Sequence, residues 1–331
     1  MKTITYAQAV RSALIEEMDR DPSVLVLGED IGTYGGVFTA TRSLLARYGV
    51  DRVIDTPISE AAIAGAAVGM AMCGLRPVAE IMYEDFVTIS LDQLVNNAAK
   101  MHYMFDGKVC VPLVLRTQCG SGRGSAAQHS QSLESWFAHV PGLIVIMPST
   151  PQDARGLLKS AIRNDNPVIF IEHKMLYFTK GPDTGAECLP IGKAEVKREG
   201  SDITVIATSW MVGRALEAAE LAANEGVSVE VIDPRTLRPF DTETVLASAR
   251  KTRRAVVVHE AVRFCGIGAE ISSIITENLF HELEMPVKRL CGSDVPIPYS
   301  AALEPHVVPT VEDIHVAVTT MATGAGRLDA D

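Results

Sequence analysis

The chain has 331 residues, 47% of them hydrophobic and 21% charged, with 41 acidic against 30 basic side chains and a net charge of −11. That length suits two domains with separate cores, and an acidic chain without basic runs speaks against nucleic acid or an anionic membrane surface as partner. The six cysteines stand far apart with no CxxC and no Cys/His cluster, so neither zinc nor a disulfide framework is expected, and a cytoplasmic setting fits.

The start, MKTITYAQAVRSALIEEMDRD, is charged throughout and lacks an apolar signal core. Ala9, Val10, Ala13, Leu14 and Met18 predict an amphipathic helix over 5–20. Val24-Leu25-Val26-Leu27 then reads as a buried strand running into Gly28-Glu29-Asp30. Further strands are expected at 52–54, 77–81, 111–116, 143–147 and 168–172, with helices at 60–74, 86–101 and 151–163 between them. The apolar run between Glu60 and Arg76 is too short and too rich in Gly and Ala to span a bilayer, so a buried helix is expected there. After a Gly/Pro-rich linker over 181–200 the alternation resumes. Strands are expected at 203–207, 227–232, 255–259 and 287–290, and helices at 212–224, 242–251 and 266–280. The fold class is therefore α/β, with two three-layer domains of parallel sheet covered on both faces, at 1–180 and 201–322, and a flexible tail at 323–331.

Ligands of such sheets sit beyond the carboxyl ends of the strands, which singles out Gly28-Glu29-Asp30, Asp55 to Glu60 and Gly120 to Ser132. Glu60 opens a helix with almost no polar face. It is either a carboxylate stabilised by the helix dipole or, in an apolar cleft, an acid–base group whose proton is held by desolvation. Gly120-Ser121-Gly122-Arg123-Gly124-Ser125 follows a strand. It lacks the third glycine of GxGxxG and is not GxxxxGK[ST], so it reads as a phosphate cradle or as a mobile loop. His129 follows directly, as a structural or a catalytic histidine. Ser130 and Ser132 lack the G-x-S-x-G setting of a serine hydrolase.

Several strings in order resemble one family: Gly28-Glu29-Asp30, Gly35-Gly36-Val37-Phe38, Arg52 to Glu60, Ala126 to Ser132, and His139-Val140-Pro141-Gly142-Leu143. They resemble the β chain of the thiamine-diphosphate-dependent 2-oxo acid dehydrogenases, the decarboxylating component of pyruvate, acetoin and branched-chain complexes. The likeness runs from about residue 3 to 320. It implies a transketolase-type pyrimidine-binding domain, a transketolase C-terminal domain, and an α2β2 heterotetramer. The cofactor is then shared between subunits, with its diphosphate and Mg²⁺ on the α subunit. The chain has no Gly-Asp-Gly, the usual start of the diphosphate and Mg²⁺ motif, which agrees with that division.

Carried over residue by residue, Glu60 resembles the glutamate that hydrogen-bonds the aminopyrimidine ring nitrogen, and His129 the histidine that assists reductive acylation of a lipoyl arm. Glu29, Ile58, Met82 and Phe86 match positions near the cofactor. The family's potassium site corresponds to Leu113, Ala161, Ile162, Asn164 and Asn166, with Asn164 where relatives commonly have Asp, so one negative ligand is lost. Docking on the lipoyl-bearing dihydrolipoyl acyltransferase core through acidic residues draws attention to Glu282 and Glu284. The substrate implied is pyruvate, acetoin or a branched-chain 2-oxo acid. Two other classes stay open on the residues alone: a NAD-binding subunit using the 120–125 glycines or Gly266-Ile267-Gly268, and a non-catalytic assembly subunit.

Overall fold

A computed structural model describes residues 3–183, 185 and 187–324. From residue 325 the expected tail lies outside the described residues. The chain forms two compact units, one of residues up to 120 with 128–191, the other of residues 121–127 with 192 onward.

In the first unit six apolar runs become β1 (Val24–Glu29), β2 (Val53–Thr56), β3 (Arg76–Ile81), β4 (Val114–Cys119), β5 (Ile144–Ile146) and β6 (Val168–His173). They pair in parallel in the order β5-β6-β4-β3-β1-β2. Central β4 and β6 are buried at every position, as strands covered on both faces must be. The helices that matter here are α1 (Tyr6–Arg20), α2 (Glu60–Met72), the short α3 (Glu84–Val87) and α4 (Pro151–Arg163). A Thr5–Gln8 capping box starts α1. Thr150, with Pro151 in the first helical turn, starts α4. The two helices pack together and are tied by Glu16 to Arg155 and Lys159 and by buried Glu17 to Arg163.

Three charges lie inside this sheet. Arg116 of β4 is fully buried and donates from Nε and Nη2 to Glu172 at 2.7 and 2.8 Å, and from Nη1 to Glu80 at 2.6 Å. Gln118 Nε2 donates to Glu80 at 3.2 Å, and the Tyr177 hydroxyl donates to Glu172. Burial pushes the Glu172 carboxyl up, against the pull of Arg116. A buried charge persists only when paired and hydrogen-bonded, and this set satisfies that condition across three adjacent strands.

In the second unit β7 (Glu195–Arg198), β8 (Ile203–Ala207), β9 (Val229–Asp233), β10 (Ala255–Val262) and β11 (Lys288–Gly292) form a sheet in the order β11-β10-β8-β9-β7. Only β7 is antiparallel to its neighbour. The helices are α5 (Trp210–Asn224), α6 (Thr242–Thr252), α7 (Ile267–Leu279) and α8 (Val311–Ala322). The core joins Val205, Val229 and Val256 of the sheet to Met211 and Ala215 of α5 and to Ile314 and Val318 of α8.

Besides short strands and turns of helix that were not expected, such as Thr3–Thr5, Leu44–Tyr48, Glu134–Ala138 and Thr236–Arg238, four elements depart from the reading of the sequence. The helix expected over 86–101 is broken into α3, a 3₁₀ turn, a π-helical stretch Asp92–Ala98 and a last turn Ala99–Met104. There the Asn97 side chain donates to the Asp92 carbonyl, competing with the regular backbone ladder, while Asn96 donates to the Asp92 carboxylate. β4 starts at Val114 rather than at 111, because Pro112 has no N–H for a ladder. The expected linker contains β7, whose Glu-Val-Lys-Arg composition reads as surface yet suits a charged edge strand. Helix α8 was not anticipated, although its Thr310–Asp313 capping box is a sequence signature.

Candidate active site

Parallel pairing sets Glu29, the last residue of β1, opposite Thr56, the last of β2. The turn after β2 leads to Glu60 at the head of α2. That turn is anchored by Asp55, whose carboxylate accepts from Gly32 N at 2.6 Å, Thr33 N at 3.1 Å and Thr33 Oγ1 at 3.1 Å. Ser59 provides no side-chain cap, and Glu60 is the only acid in the first turn of α2. Beyond it the helix is Ala, Gly, Ile, Val and Met throughout, burying Ile63, Ala64, Ala67, Val68 and Ala71. Glu60 itself is half-buried. Burial, then the charges of Asp30 and Glu60, push the Glu29 carboxyl above its ordinary range. Three carboxylates thus share one field at the carboxyl ends of β1 and β2, as at sites where protons are held or moved.

After β3, Met82 and Tyr83 are joined by a cis peptide bond and lead into α3. The Tyr83 and Phe86 rings each meet the His129 imidazole edge-on at 5.1 Å between centroids. Phe38 approaches Tyr83 edge-on at 6.4 Å and stacks on Tyr177 at 4.3 Å. The backbone around His129 is pinned from several sides. Asp85 Oδ1 accepts from Gln131 N at 3.3 Å and Nε2 at 2.8 Å, and Glu84 Oε2 accepts from Leu133 N at 3.1 Å. Gly120 N donates to Gln131 O at 3.1 Å, and Lys174 Nζ donates to the His129 carbonyl.

The sequence-derived positions therefore fall into two groups at the same end of one sheet: Glu29 with Glu60, and Phe86 with His129, Met82 adjoining the latter. Ile58 stands 74% exposed between β2 and α2, a large apolar side chain in water on the single chain. Asp30 lay in the singled-out Gly28-Glu29-Asp30 segment, whereas Tyr83, Glu84, Asp85 and Lys174 were missed. Their signals were an acidic pair two residues beyond a strand and a lysine directly after a strand that itself ends in Glu172-His173.

The potassium positions lie where α4 passes into β6 and where β4 begins. The carbonyls of Ile162 and Asn164 each accept from Arg76 Nη1 at 3.0 Å, and the Asn164 side chain accepts from Asn166 N and Nδ2 at 2.9 and 3.1 Å. Leu113 O accepts from Val168 N and Ala161 O from Asn164 N. The donors are neutral, two of them shared with a guanidinium, and the nearby Asp165 carboxylate is paired with Arg76. Such a set fits a bound cation poorly. Among the described residues no group of three His, Cys, Asp or Glu is arranged to hold a metal ion.

The glycine segments do not form phosphate cradles. Ser121 N donates to Glu260 Oε1, and Gly122 N and Gly124 N donate to Glu304 Oε1 at 3.2 and 3.3 Å. The amides that would bind an anion already bind carboxylates. A Cβ on Gly266 or Gly268 would come within 2.6 Å of the His259 ring, so these glycines serve close packing. The NAD-binding reading loses its support. Glu282 and Glu284 carry their own counter-charges, Arg250 for the first and Arg253 and Arg254 for the second.

Residues 2–180 match the transketolase pyrimidine binding domain and residues 192–314 the transketolase C-terminal domain. The chain is 49% identical over 319 residues to the mitochondrial pyruvate dehydrogenase E1 component subunit beta-1 of Oryza sativa subsp. japonica, spanning 95% of this chain and 85% of the relative. It is 45% identical over 334 residues to the β subunit of acetoin:2,6-dichlorophenolindophenol oxidoreductase of Cupriavidus necator, spanning 98% of each. Among solved structures, an inactive β4 tetramer of a split-gene transketolase shares the fold, with a TM-score of 0.78, 24% identity, and coverage of 97% of this chain and 98% of that one. With its transketolase-type domains in this order, the chain belongs to the family of E1 β subunits of thiamine-diphosphate-dependent 2-oxo acid and acetoin dehydrogenases.

Proposed function

We propose that this chain is the β half of a heterotetrameric α2β2 enzyme that decarboxylates a 2-oxo acid, pyruvate foremost, or cleaves acetoin, and passes the acyl group to a lipoyl arm of a dihydrolipoyl acyltransferase core. The observation that carries this reading is the half-buried Glu60 at the head of an apolar helix, sharing its field with Glu29. The chain's residues suit the aminopyrimidine end of thiamine diphosphate. Glu60 offers a carboxyl to a ring nitrogen, and Met82 and Phe86 offer soft and aromatic surface beside it. When bound, the cofactor supplies a nucleophilic carbon and an electron sink.

Each residue then has a defined task. Glu60 holds a proton between its carboxyl oxygen and the pyrimidine nitrogen, fixing the tautomer. Glu29 keeps the local field negative, which favours that shared proton. His129 exchanges a proton with the acceptor as the acyl group leaves, its ring oriented by Tyr83 and Phe86. The diphosphate and its Mg²⁺ are assigned to the α subunit, in keeping with glycine-loop amides already bonded to Glu260 and Glu304. No step is assigned to potassium. Exposed Ile58 marks apolar surface beside Glu60 that a partner chain would cover.

Among the described residues no helix is long and apolar enough to cross a membrane. We assign the enzyme to the cytoplasm on its six cysteines, which stand far apart along the sequence with no CxxC spacing.

The test is reconstitution with the α subunit. Glu60→Gln keeps the shape but removes the shared proton. It should lower 2-oxo acid decarboxylation by about 10²- to 10⁴-fold, the range of a lost general acid–base contribution, with the assembly intact. Near-normal turnover would remove Glu60 from the mechanism, and strong activity of the chain alone would overturn the shared site. Comparing pyruvate with acetoin in the same preparation assigns the substrate.

A further inference from the structure

Lys174, the first residue after β6, is only 1% exposed. Its ammonium donates to the backbone carbonyl of His129, lies 3.4 Å from Ser130 Oγ, and sits over the Tyr83 ring at 5.4 Å from the centroid. Tyr83 in turn meets the His129 imidazole edge-on. Lys174 is thereby bonded to the backbone of His129 and also stands against the ring that flanks its side chain. Its own backbone is fixed, with Lys174 N donating to Cys119 O at 3.2 Å, so the ammonium is carried by the rigid end of the sheet.

We propose that Lys174 is the positioning residue for His129. The buried ammonium sets where the His129 backbone enters the site and fixes the face that Tyr83 presents to the imidazole. This rests on the reading of His129 as the group that serves acyl transfer.

The chemistry favours a lysine here. A buried carbonyl gains most from a charged donor, an ammonium over a phenol face is attracted by the ring quadrupole, and both contacts weaken together if the charge is removed and vanish if the donor goes with it. A role confined to folding would lower both half-reactions in proportion to the folded fraction. A positioning role instead strikes the step that uses the imidazole.

The experiment uses the α2β2 enzyme carrying Lys174→Met, with His129→Ala alongside. Three quantities are read: decarboxylation with an artificial electron acceptor, reductive acylation of a lipoyl domain, and hydrogen exchange of the peptide 128–133. For Lys174→Met, acylation kcat should fall about 10- to 100-fold, the size of one lost charge-assisted hydrogen bond. Decarboxylation should fall by less than threefold, and exchange in 128–133 should quicken while the rest of the chain stays as in wild type. Lys174→Gln keeps a donor but drops the charge. It should show the same pattern at smaller size, and it replaces the methionine variant if that one does not assemble.

Unchanged exchange in 128–133, or equal losses in the two assays, would overturn the proposal. If His129→Ala leaves acylation intact, the reading of His129 itself falls, and that outcome is seen independently of the exchange data.

Discussion

Acid should weaken this protein through one histidine that takes no part in the proposed chemistry. His259 of β10 is fully buried, and among the described residues neither ring nitrogen finds a hydrogen-bond partner. Its ring is wedged against Gly266 and Gly268. Burial, and then the charge of Arg289, push its pKa down to about 4. The folded state therefore resists a proton that the unfolded chain takes up near its ordinary pKa of about 6.5. Between those two values the unfolded state binds more protons, so stability is full above pH ~6.5 and declines as the pH falls towards ~4. At pH ~5 the deficit is RT ln[(1 + 10^1.5)/(1 + 10^−1)], or about 2 kcal/mol relative to neutral pH. For a unit of this size that is about 4–8 °C in melting temperature. Wild type and His259→Gln should be melted at pH 7.5 and 5. The variant starts lower, because an amide fills the slot less well, but it should lose about 4–8 °C less on acidification. Parallel losses in the two proteins would refute the argument, because the proton uptake would then lie elsewhere.

Two further perturbations follow from geometry. Arg116→Met leaves Glu80 and Glu172 buried without their cation and should destabilise the chain by about 3–5 kcal/mol in urea unfolding at neutral pH. Part of that loss should be regained as the pH falls, because burial already pushes the Glu172 carboxyl up and without Arg116 nothing opposes its taking a proton; a loss independent of pH would argue against charge as the cause. Gly120→Ala places a Cβ at φ +90° and 1.9 Å from His173 Nε2. It should cost about 2–5 kcal/mol from backbone strain and overpacking together. A melting temperature equal to wild type would show that Gly120 does not hold this φ against the His173 ring.

Much of this architecture could be read from residue order. Alternation of apolar runs with helical patterns placed nearly every parallel strand of both sheets, because buried parallel strands have little freedom in composition. Glu60 stood out as a carboxylate heading a helix without a polar face. What could not be read was of two kinds. The edge strand β7 has a composition set by solvent, whereas α8 carried signals that went unused, a capping box and the helical spacing of buried Ile314, Ala317, Val318 and Met321. Long-range pairing was the other. Nothing in Gly120 to Ser125 shows that Glu260 and Glu304, far along the chain, supply its anions. Likewise nothing near His129 points to Lys174. The charges Glu80 and Arg116 inside apolar strands were, however, a usable signal, since such residues are buried only with partners.

Those buried charges bear on how the site keeps its shape. Glu172 binds Arg116 and the Tyr177 hydroxyl, Tyr177 stacks on Phe38, Phe38 meets Tyr83, and Tyr83 meets His129. Each link has little freedom: a bidentate guanidinium, a stacked pair, and rings held edge to face. Under the role proposed for His129, proton transfer to an acceptor brought in on a flexible arm demands an imidazole that does not wander, because small misplacements cost large factors in rate. A glycine-rich approach such as 120–125 cannot supply that rigidity from its own backbone. The sheet supplies it instead, through aromatic rings on one side and the Lys174 ammonium on the other. The stiffness of the His129 segment is thus a property of β4 and β6, and substitutions in those strands should be felt at the imidazole before they are felt at Glu60.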